Sequence, residues 1–468
     1  MNRRRSGRSV LLAGLASAVL LAGSVGAASS SPSPGDAASP GRPPGGDPAA
    51  ALRSACGPGQ AWVVGSASDG ITCLDKNGWT EFTGGYGSFP GGRVSDVAVC
   101  RDGTTWLATT SGLVSTKGRT WQNRTPGSYT SFDAVACASK GVWLAHYKGV
   151  SYYDGKKLKT YPSSKLGTGE FVDLVKDVAV APDGHVWVTT SNSVAMFNGT
   201  GWTAFEEGAG FDKKYYFESI TVDPAGRVWV ATSSSGLFMY DGAAWTIQDD
   251  PFLGMIEAFA VDPKGRLWVG SYSHGISVLD GTGWTTFDTD NSGLPSDGIR
   301  SLATDAKGRV WVGTEWGLAI LDGTDWTVYH MSDSNVPDDA VVALAVAAKG
   351  PTLPKHVNKK PGTFKGRIVR SGTAQTGIPV EICAGYIGIM YFGDTPCAGQ
   401  PRLMTTTTDS SGGFVFTGVP VGWYSLTFLP SGGKWTTLST AYGLGSAQKL
   451  VSAGKATNVG TIDLAKGD

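Results

Sequence analysis

Six side chains in the middle of this 468-residue sequence are the ones best able to contact a ligand or to move a proton. All lie in short segments after an apolar run, where equivalent segments elsewhere in the chain carry small residues. Aromatic faces beside hydroxyl and imidazole groups suit a flat, neutral ligand such as a sugar or a peptide. An imidazole paired with a carboxylate could instead act as general base and general acid on a substrate. The candidates are His146, Tyr147, Tyr272, His274, Glu315 and Trp316.

Binding is the favoured chemistry, because the histidines occur in different copies of the segment and neither has a repeated acidic partner. The sequence also lacks Gly-x-Ser-x-Gly, His-Glu-x-x-His and P-loop motifs, so we predict no enzyme and no cofactor. Residues 288–293 imitate a calcium-binding loop but lack the glutamate that completes one downstream. The site prediction therefore contains no metal.

These segments are positioned by a repeat in which a glycine turn is followed by a strand built around a tryptophan. Successive tryptophans are 44, 37, 44, 42, 39 and 43 residues apart, which is about the length of one propeller blade. Four short runs per copy, separated by Asp-x-x-Gly, Gly and Asp-Gly turns, predict a four-stranded antiparallel sheet. Indole rings would fill the space between radially stacked sheets. The leading tryptophans are Trp62, Trp106, Trp143, Trp187, Trp229, Trp268 and Trp311.

The two ends of the repeat predict how the array closes. Residues 341–350 (VVALAVAAKG) align with the start of the previous copy (IRSLATDAKG), yet no tryptophan strand follows them, and the first copy lacks a good first strand. We expect residues 341–348 to complete the first sheet, which removes an open edge. The predicted fold is all-β: a seven-bladed β-propeller over residues 56–350, closed by a C-terminal strand. Eight blades, or a closing strand from residues 50–55, are the alternatives.

The N-terminus carries the pattern of a cleaved export signal over residues 1–28. Arg3, Arg4, Arg5 and Arg8 precede an apolar stretch that ends in small residues. A membrane anchor is the weaker alternative, because the apolar run is short and contains Gly and Ser. A Pro/Gly/Ser/Ala linker over 29–55 follows. We expect a secreted, extracellular protein without a membrane span after cleavage. The net charge of +0 gives no reason to expect nucleic acid as a partner.

Export makes disulfides the expected state of the six cysteines. Three of them occupy the same position, six residues before the leading tryptophan of the first three copies, and therefore share one rim of the array. Other connectivities stay open, and a metal site is a poorer alternative without a Cys-x-x-Cys motif or a nearby histidine. The preferred pairs are Cys56–Cys73, Cys100–Cys137 and Cys383–Cys397. In later copies Asp223, Asp262 and Asp305 recur at one turn position and are expected to cap that turn.

The repeat resembles a known family. The pattern xDxxGRVWVGT…GL…LDGTxWTxY, with linkers such as NSGLPSDGIRSL at 291–302, is similar to the two-component regulator propeller repeat over residues 60–350. Members of that family are commonly periplasmic sensor domains of hybrid histidine kinases, which implies recognition of an extracellular ligand. The repeat also resembles streptogramin-lyase propellers, in which a rim histidine acts as base. That resemblance implies the roles of base for His146 or His274 and of acid for Glu315.

After a Pro/Lys linker at 351–361, residues 362–468 form a second unit. Its pattern DxxGxFxFxxVPxGxYxLxF resembles a carboxypeptidase-regulatory-like or Cna-B-type β-sandwich, a small transthyretin-like fold. Some Cna-B domains contain a Lys–Asn isopeptide bond, for which Lys365 and Asn458 are suggestively placed. The usual glutamate is Phe428 here, and Glu381 could replace it only by facing the same interior. A sandwich without the bond is therefore expected.

Together these observations predict a secreted or cell-surface, non-catalytic recognition protein with a sensor-like role. Its propeller rim would bind an extracellular carbohydrate, peptide or protein ligand, and the sandwich would serve as spacer or accessory binding module. A metal-dependent propeller lyase and a protein-interaction scaffold are the alternatives.

Overall fold

The chain forms an all-β structure in this computed structural model, which confirms the predicted fold class. Among the described residues there are 38 strands and one 3-10 helix, Ser163–Lys165. The described residues include no helix with the length and hydrophobicity needed to span a membrane. The predicted export signal and the linker to residue 55 lie outside the described part of the chain. The structure describes residues 56, 59–66, 70–83, 92–117, 120–125, 131–166, 174–208, 210–211, 215–233, 236–248, 256–281, 283–357, 359–384, 395–397, 402–438 and 448–465.

The strands of residues 61–346 are grouped below by sheet, in chain order. Sheets 1 and 2 contain β1 (Ala61–Gly65), β2 (Gly70–Asp75), β3 (Gly78–Thr83), then β4 (Val94–Val99), β5 (Thr105–Thr109), β6 (Gly112–Thr116) and β7 (Trp121–Asn123). Sheets 3 and 4 contain β8 (Ala134–Cys137), β9 (Val142–His146), β10 (Gly149–Tyr153), β11 (Leu158–Pro162), then β12 (Val175–Val180), β13 (Val186–Thr190), β14 (Val194–Phe197), β15 (Trp202–Glu207) and β16 (Gly210–Phe211).

The later sheets repeat the same plan. Sheets 5 and 6 contain β17 (Phe217–Val222), β18 (Val228–Thr232), β19 (Leu237–Tyr240), β20 (Trp245–Gln248), then β21 (Ile256–Val261), β22 (Leu267–Ser271), β23 (Ile276–Asp280) and β24 (Gly283–Phe287). Sheet 7 contains β25 (Ile299–Thr304), β26 (Val310–Thr314), β27 (Gly317–Asp322) and β28 (Asp325–Tyr329), and the closing strand is β29 (Val341–Val346).

Each of these sheets is an antiparallel meander, to which sheet 4 adds the short parallel strand β16. The second strand of every sheet is buried along its whole length. Burial on both faces is the result of stacking sheets face to face, and it explains why these strands are apolar without strict alternation. The leading tryptophans lie on these strands and are buried.

The first sheet takes its first strand from the end of the array. β29 pairs antiparallel with β1, with Trp62 opposite Ala345, so sheet 1 has the order β29-β1-β2-β3. The first strands of the sheets contact one another in a complete circuit, from β4 through β8, β12, β17, β21 and β25 to β29 and back to β4. This is the pairing that the sequence alignment predicts for residues 341–348.

The turns between first and second strands are held by a repeated contact, here called the turn clasp. In sheet 7, Asp305 accepts hydrogen bonds from the backbone N–H groups of Lys307 and Arg309, as the sequence predicts for a capped turn. Its other oxygen accepts from Arg309 Nε at 2.7 Å and from Trp311 Nε1 at 3.3 Å. The Asp–Arg–Trp arrangement recurs in sheets 5 and 6. The clasp therefore ties each turn to the leading tryptophan.

Disulfides occupy the same position in the first sheets. The structure joins Cys56 to Cys73, Cys100 to Cys137 and Cys383 to Cys397, the three pairs preferred from the sequence. Cys100 and Cys137 each lie six residues before a leading tryptophan, where the clasped sheets have aspartate. Their disulfide links the first turn of sheet 2 to that of sheet 3.

Residues after 361 form two further sheets around a common core. Sheet 8 has the order β31-β30-β34 with β38 beside β30, and sheet 9 has the order β33-β32-β35-β36 with β37 beside β35. Phe364 and Phe414 of sheet 8 share a core cluster with Tyr424 and Leu426 of sheet 9. The strands are β30 (Gly362–Arg370), β31 (Thr373–Ala374), β32 (Pro379–Ala384), β33 (Met404–Thr407), β34 (Gly413–Val419), β35 (Gly422–Phe428), β36 (Thr436–Thr437), β37 (Lys449–Val451) and β38 (Ala456–Asp463).

The residues considered for an isopeptide bond do not meet in a common interior. Lys365 and Asn458 are register partners on β30 and β38, and both are exposed. Glu381 is buried on β32 in the other sheet, and its neighbours Val380 and Ile382, rather than Glu381, belong to the common core. Glu381, the carboxylate considered for promoting the bond, therefore lies apart from these two side chains.

Candidate functional site

Three of the candidate side chains occupy one position in the repeat. Tyr147, Tyr272 and Glu315 each lie four residues after a leading tryptophan, in the loop between the second and third strands. We call the end of the array that carries these loops the loop rim. Tyr147 and Tyr272 are each 46% exposed. They therefore form a natural pair for comparison, on sheets 3 and 6.

A second set of side chains reaches the loop rim through β-bulges that the sequence analysis missed. The pairing of first with second strands shifts register at the start of the first strand in sheets 1, 2 and 4 to 7. A bulge inserts one extra residue and changes the direction of its side chain. The extra residue is uncharged in sheets 1 and 2 and charged in sheets 4 to 7, where it is Lys176, Glu218, Glu257 and Arg300 in turn.

Tyr272, Glu257, Arg300 and Glu315 form one group, here called the rim cluster. Arg300 Nη2 lies 2.5 Å from Glu315 Oε1, and Arg300 Nη1 lies 3.8 Å from Glu257 Oε2. The guanidinium also lies 4.6 Å from the centre of the Tyr272 ring, within range of a cation–π contact. The cluster joins sheets 6 and 7 and remains partly exposed, so it can still contact a ligand.

Glycine allows this geometry at one position. The Glu315 carboxylate lies beside Gly298, where an added Cβ would come within 2.8 Å of it. The Gly298 carbonyl accepts a hydrogen bond from the Glu315 N–H at 3.0 Å. The loop is therefore fixed at its backbone while its side chain is held towards Arg300.

The electrostatics of the loop rim favour paired charges. Burial raises the pKa of Glu257, Arg300 opposes that rise, and the charges of Glu218 and Glu315 add to it. Burial acts to lower the pKa of Arg300, but attraction and hydrogen bonding to Glu315 more than offset it, so the net pKa is raised. Lys176 and Glu218 form a further ion pair at the loop rim, with Lys176 Nζ 3.5 Å from Glu218 Oε2. Arg300 is therefore the fixed positive centre of the cluster.

Two aspartates on the first strands join neighbouring sheets. Asp96 Oδ2 accepts a hydrogen bond from the Val135 N–H of the next sheet at 2.8 Å. Asp177 Oδ2 likewise accepts from the Ile220 N–H at 3.0 Å and from the Ser219 hydroxyl at 3.1 Å. Burial raises the pKa of both, that of Asp96 to about 7. Because their oxygens satisfy strand-edge donors, these carboxylates hold the ring together.

The structure separates the two candidate histidines. His146 is fully buried, its Nδ1 accepts from the Lys148 N–H at 3.2 Å, and its Nε2 lies 2.8 Å from Ser151 Oγ. Burial, with the nearby Lys148 charge, lowers its pKa to about 4, so this imidazole is neutral and faces the interior. His274 is exposed on the same loop as Tyr272, with Nδ1 3.1 Å from Ser273 Oγ.

Trp316 packs against the core of the C-terminal sheets instead of standing free on the loop rim. The same contact includes an ion pair of 2.9 Å between Arg402 and the buried Asp339. Arg402 also donates to the Ser332 hydroxyl at 3.0 Å. The segment that leads to the C-terminal sheets is bound to sheet 7, since Arg309 donates to the Pro351 carbonyl and Tyr329 donates to the Pro354 carbonyl. Trp316 therefore serves this contact, which sequence spacing could not show.

The loop at residues 288–293, which resembles a calcium-binding loop in sequence, forms hydrogen-bonded turns. Asp288 Oδ1 accepts from the N–H groups of Asp290 and Asn291 at 2.9 and 3.0 Å. Asp297 in turn accepts from the N–H and hydroxyl of Thr289. Within the described ranges, no three His, Cys, Asp or Glu side chains are grouped to hold a metal ion.

Sequence and structure comparisons give partial matches. The family described as Two component regulator propeller matches residues 293–316, a stretch within the last copies of the repeat. No curated protein matches the sequence. This match shows similarity to the two-component regulator propeller repeat over residues 293–316.

Three solved structures are similar at low identity. Virginiamycin B lyase from Staphylococcus aureus is 15% identical with a TM-score of 0.45, over 56% of this chain and 90% of its own. An extracellular domain described for the hybrid two component system BT4673 from B. thetaiotaomicron is 15% identical with a TM-score of 0.46, over 86% and 71%. YCF48 from Cyanidioschyzon merolae is 17% identical with a TM-score of 0.40, over 53% and 86%. No activity or ligand is transferred from them.

Proposed function

We propose that this chain is a secreted or cell-surface, non-catalytic recognition protein with a sensor-like role. Residues 56–350 would form a seven-bladed propeller closed by β29. Residues 362–468 would form a carboxypeptidase-regulatory-like or Cna-B-type sandwich that acts as spacer or accessory binding module. Residues 1–28 would be the export signal and 29–55 the linker. The ligand would be carbohydrate or peptide-like and would bind the rim cluster.

The partly exposed contact of Tyr272, Arg300 and Glu315 supports this proposal most directly. An aromatic face, a guanidinium donor and a carboxylate acceptor converge there within one site. Such a set can stack on a sugar or planar amide while exchanging hydrogen bonds with its hydroxyl, carbonyl or N–H groups. His274, on the same loop as Tyr272, adds an exposed imidazole at the edge of the cluster.

Binding of the exported protein to glycan and peptide arrays tests the proposal. Tyr272→Ala should weaken binding by about ten-fold, as for loss of a central aromatic anchor. Tyr147→Ala is the matched control, because Tyr147 has the same repeat position and the same exposure but lies over Lys148 on another sheet. Equal effects of the two substitutions, or none, would refute binding at the rim cluster.

Catalysis by the lyase route would need a histidine that reaches the ligand. His146 is buried against Ser151, and although His274 is exposed, the carboxylate of Glu315 that would act with it is bound to Arg300. We therefore infer that the chain leaves a streptogramin such as virginiamycin B intact. Mass spectrometry of the antibiotic after incubation with the protein and divalent metal ions checks this, and linearised product would contradict it.

A further inference from the structure

A shallow groove of about 340 Å³ crosses the outer face of sheet 8. It runs across β38, β30 and β34, whereas the rim cluster belongs to sheets 6 and 7. Besides glycines, its lining residues are Lys365, Arg367, Phe414, Val415, Asn458 and Thr461. No part of the proposed rim site uses any of them.

Two cations define the charge of this groove. Lys365 and Arg367 are both exposed and lie two residues apart on β30, so they project from the same face about 7 Å from each other. Within the part of the chain that the structure describes, neither forms an ion pair. Arg367 Nε donates to the Ser411 carbonyl at 2.7 Å, which fixes the guanidinium. The groove therefore presents two oriented positive charges.

The nearest acid is committed to its own turn. Asp409 Oδ1 accepts from the N–H groups of Ser411 and Gly413 at 2.8 and 2.9 Å and from the Ser411 hydroxyl at 2.7 Å. Gly413 is the register partner of Arg367, and an oxygen of the Asp409 carboxylate lies 3.1 Å from the place that a Cβ of Gly413 would occupy. Asp409 therefore offsets part of the Arg367 charge, whereas the register partners of Lys365 are the neutral Val415 and Asn458.

Neutral groups alternate with the cations. Lys365 lies between Val415 on β34 and Asn458 on β38, and Arg367 is the register partner of Thr461. Val415 is 53% exposed, although it belongs to a strand whose neighbouring Phe414 and Phe416 are buried. The row of Lys365 thus combines an apolar side chain, a cation and an amide. The row of Arg367 combines a cation and a hydroxyl.

We propose that this groove binds an acidic polysaccharide. The two cations would pair with carboxylates of successive or alternate sugar acids. Asn458 and Thr461 would hydrogen-bond ring hydroxyls, and Val415 would contact the C–H face of a sugar. Single-stranded nucleic acid needs exposed aromatic stacking platforms, and Phe414, the aromatic residue of the described lining, is buried. A bilayer surface needs a larger apolar area than one valine provides.

Affinity electrophoresis of the full exported chain in gels that contain polygalacturonate tests this proposal. The wild-type protein should be retarded by polygalacturonate and not by neutral dextran, and salt should reduce the retardation because exposed charges are screened. The double substitution Lys365→Gln and Arg367→Gln should weaken binding at least about ten-fold, as expected for loss of two charge-assisted contacts. Lys434→Gln is the control, since it removes an exposed cation of the same region that does not line the groove.

A second pair of variants tests the groove by adding charge. Val415→Asp places an anion beside Lys365 and should also abolish retardation, whereas Leu450→Asp, at an exposed apolar residue on β37, should not. The proposal is overturned if wild-type protein ignores polygalacturonate, if Lys434→Gln weakens binding equally, or if anionic phospholipid vesicles bind through the same residues and the polysaccharide does not.

Discussion

Replacing Asp305 by alanine should destabilise the protein more than the same change at Asp223, although the two aspartates make the same contacts. Both carboxylates are almost fully buried, and each binds two turn N–H groups, an arginine Nε and a tryptophan Nε1. The arginines differ: Arg309 is 4% exposed and Arg227 is 45% exposed. Asp305→Ala therefore leaves Arg309 as a buried charge without a counter-ion, with the Pro351 carbonyl as its remaining acceptor, whereas water replaces Asp223 around Arg227.

The magnitude follows from that difference. Loss of the hydrogen bonds to the turn and to the indole costs about 2 kcal/mol at either site. An unpaired buried charge raises the cost of breaking the pair to about 3–5 kcal/mol at Asp305. At about 2 °C of melting temperature per kcal/mol for a domain of this size, we expect a decrease of roughly 8 °C for Asp305→Ala and roughly 4 °C for Asp223→Ala. Asp262→Ala should lie between them, because Arg266 is 25% exposed.

Differential scanning calorimetry of the three variants, with the disulfides intact, measures this order. Arg309→Met combined with Asp305→Ala provides the internal test, because removing the second charge should restore much of the loss. Equal decreases at the three sites, or a double variant as unstable as Asp305→Ala alone, would refute the assignment of the cost to the buried arginine.

Three further predictions follow from other contacts. Changing both Cys100 and Cys137 to serine removes a disulfide with a sequence separation of 37 and should lower the free energy of unfolding by about 4 kcal/mol. Urea unfolding measures this difference between variant and wild type. The difference should disappear in the presence of reductant, which opens the same disulfide in the wild type. Burial raises the pKa of Asp96 to about 7, so the contribution of this group to stability is complete below about pH 4 and is lost as the pH rises through 7. The melting temperature of Asp96→Asn, relative to that of the wild type, should therefore be higher at pH 8 than at pH 5. A difference in melting temperature that does not change with pH contradicts this. Arg402→Ala leaves the buried Asp339 without its ion-pair partner and should expose the 351–361 segment to limited proteolysis, whereas Arg370→Ala, an exposed cation on β30, should not.

The repeat made much of the fold predictable, because spacing and turn residues are local properties of the sequence. The tryptophan spacing located the second strands, and the leftover run at 341–350 indicated the partner of β1. The rim cluster was only half predictable. Tyr272 and Glu315 break the small-residue pattern of their loops and were therefore visible. Arg300 was not, since a bulged residue looks like any other position in a strand until its pairing is known.

Exposure was the second property that spacing did not determine. His146 and Tyr147 are adjacent in sequence, yet one is fully buried and the other is 46% exposed. The difference arises because His146 ends β9, where its side chain meets Ser151 on β10, while Tyr147 lies in the loop beyond the last pair. Trp316 likewise follows Glu315 directly, but it packs against a unit that begins more than forty residues later in the chain.

The position six residues before the leading tryptophan fixes one rim of most sheets. Aspartate there forms the turn clasp in sheets 5 to 7, and cysteine there forms covalent links in sheets 1 to 3, while sheet 4 has Ala181. At the loop rim, a threonine that ends the second strand donates its hydroxyl hydrogen bond to a carbonyl at the far side of the loop in sheets 2, 4, 5 and 7. Both rims are therefore fixed close to the backbone, while the exposed loop residues and the bulged residues differ between copies of the repeat. In sheet 7 the bulged residue is Arg300, which brings Glu315 and Tyr272 into one surface that a ligand can contact.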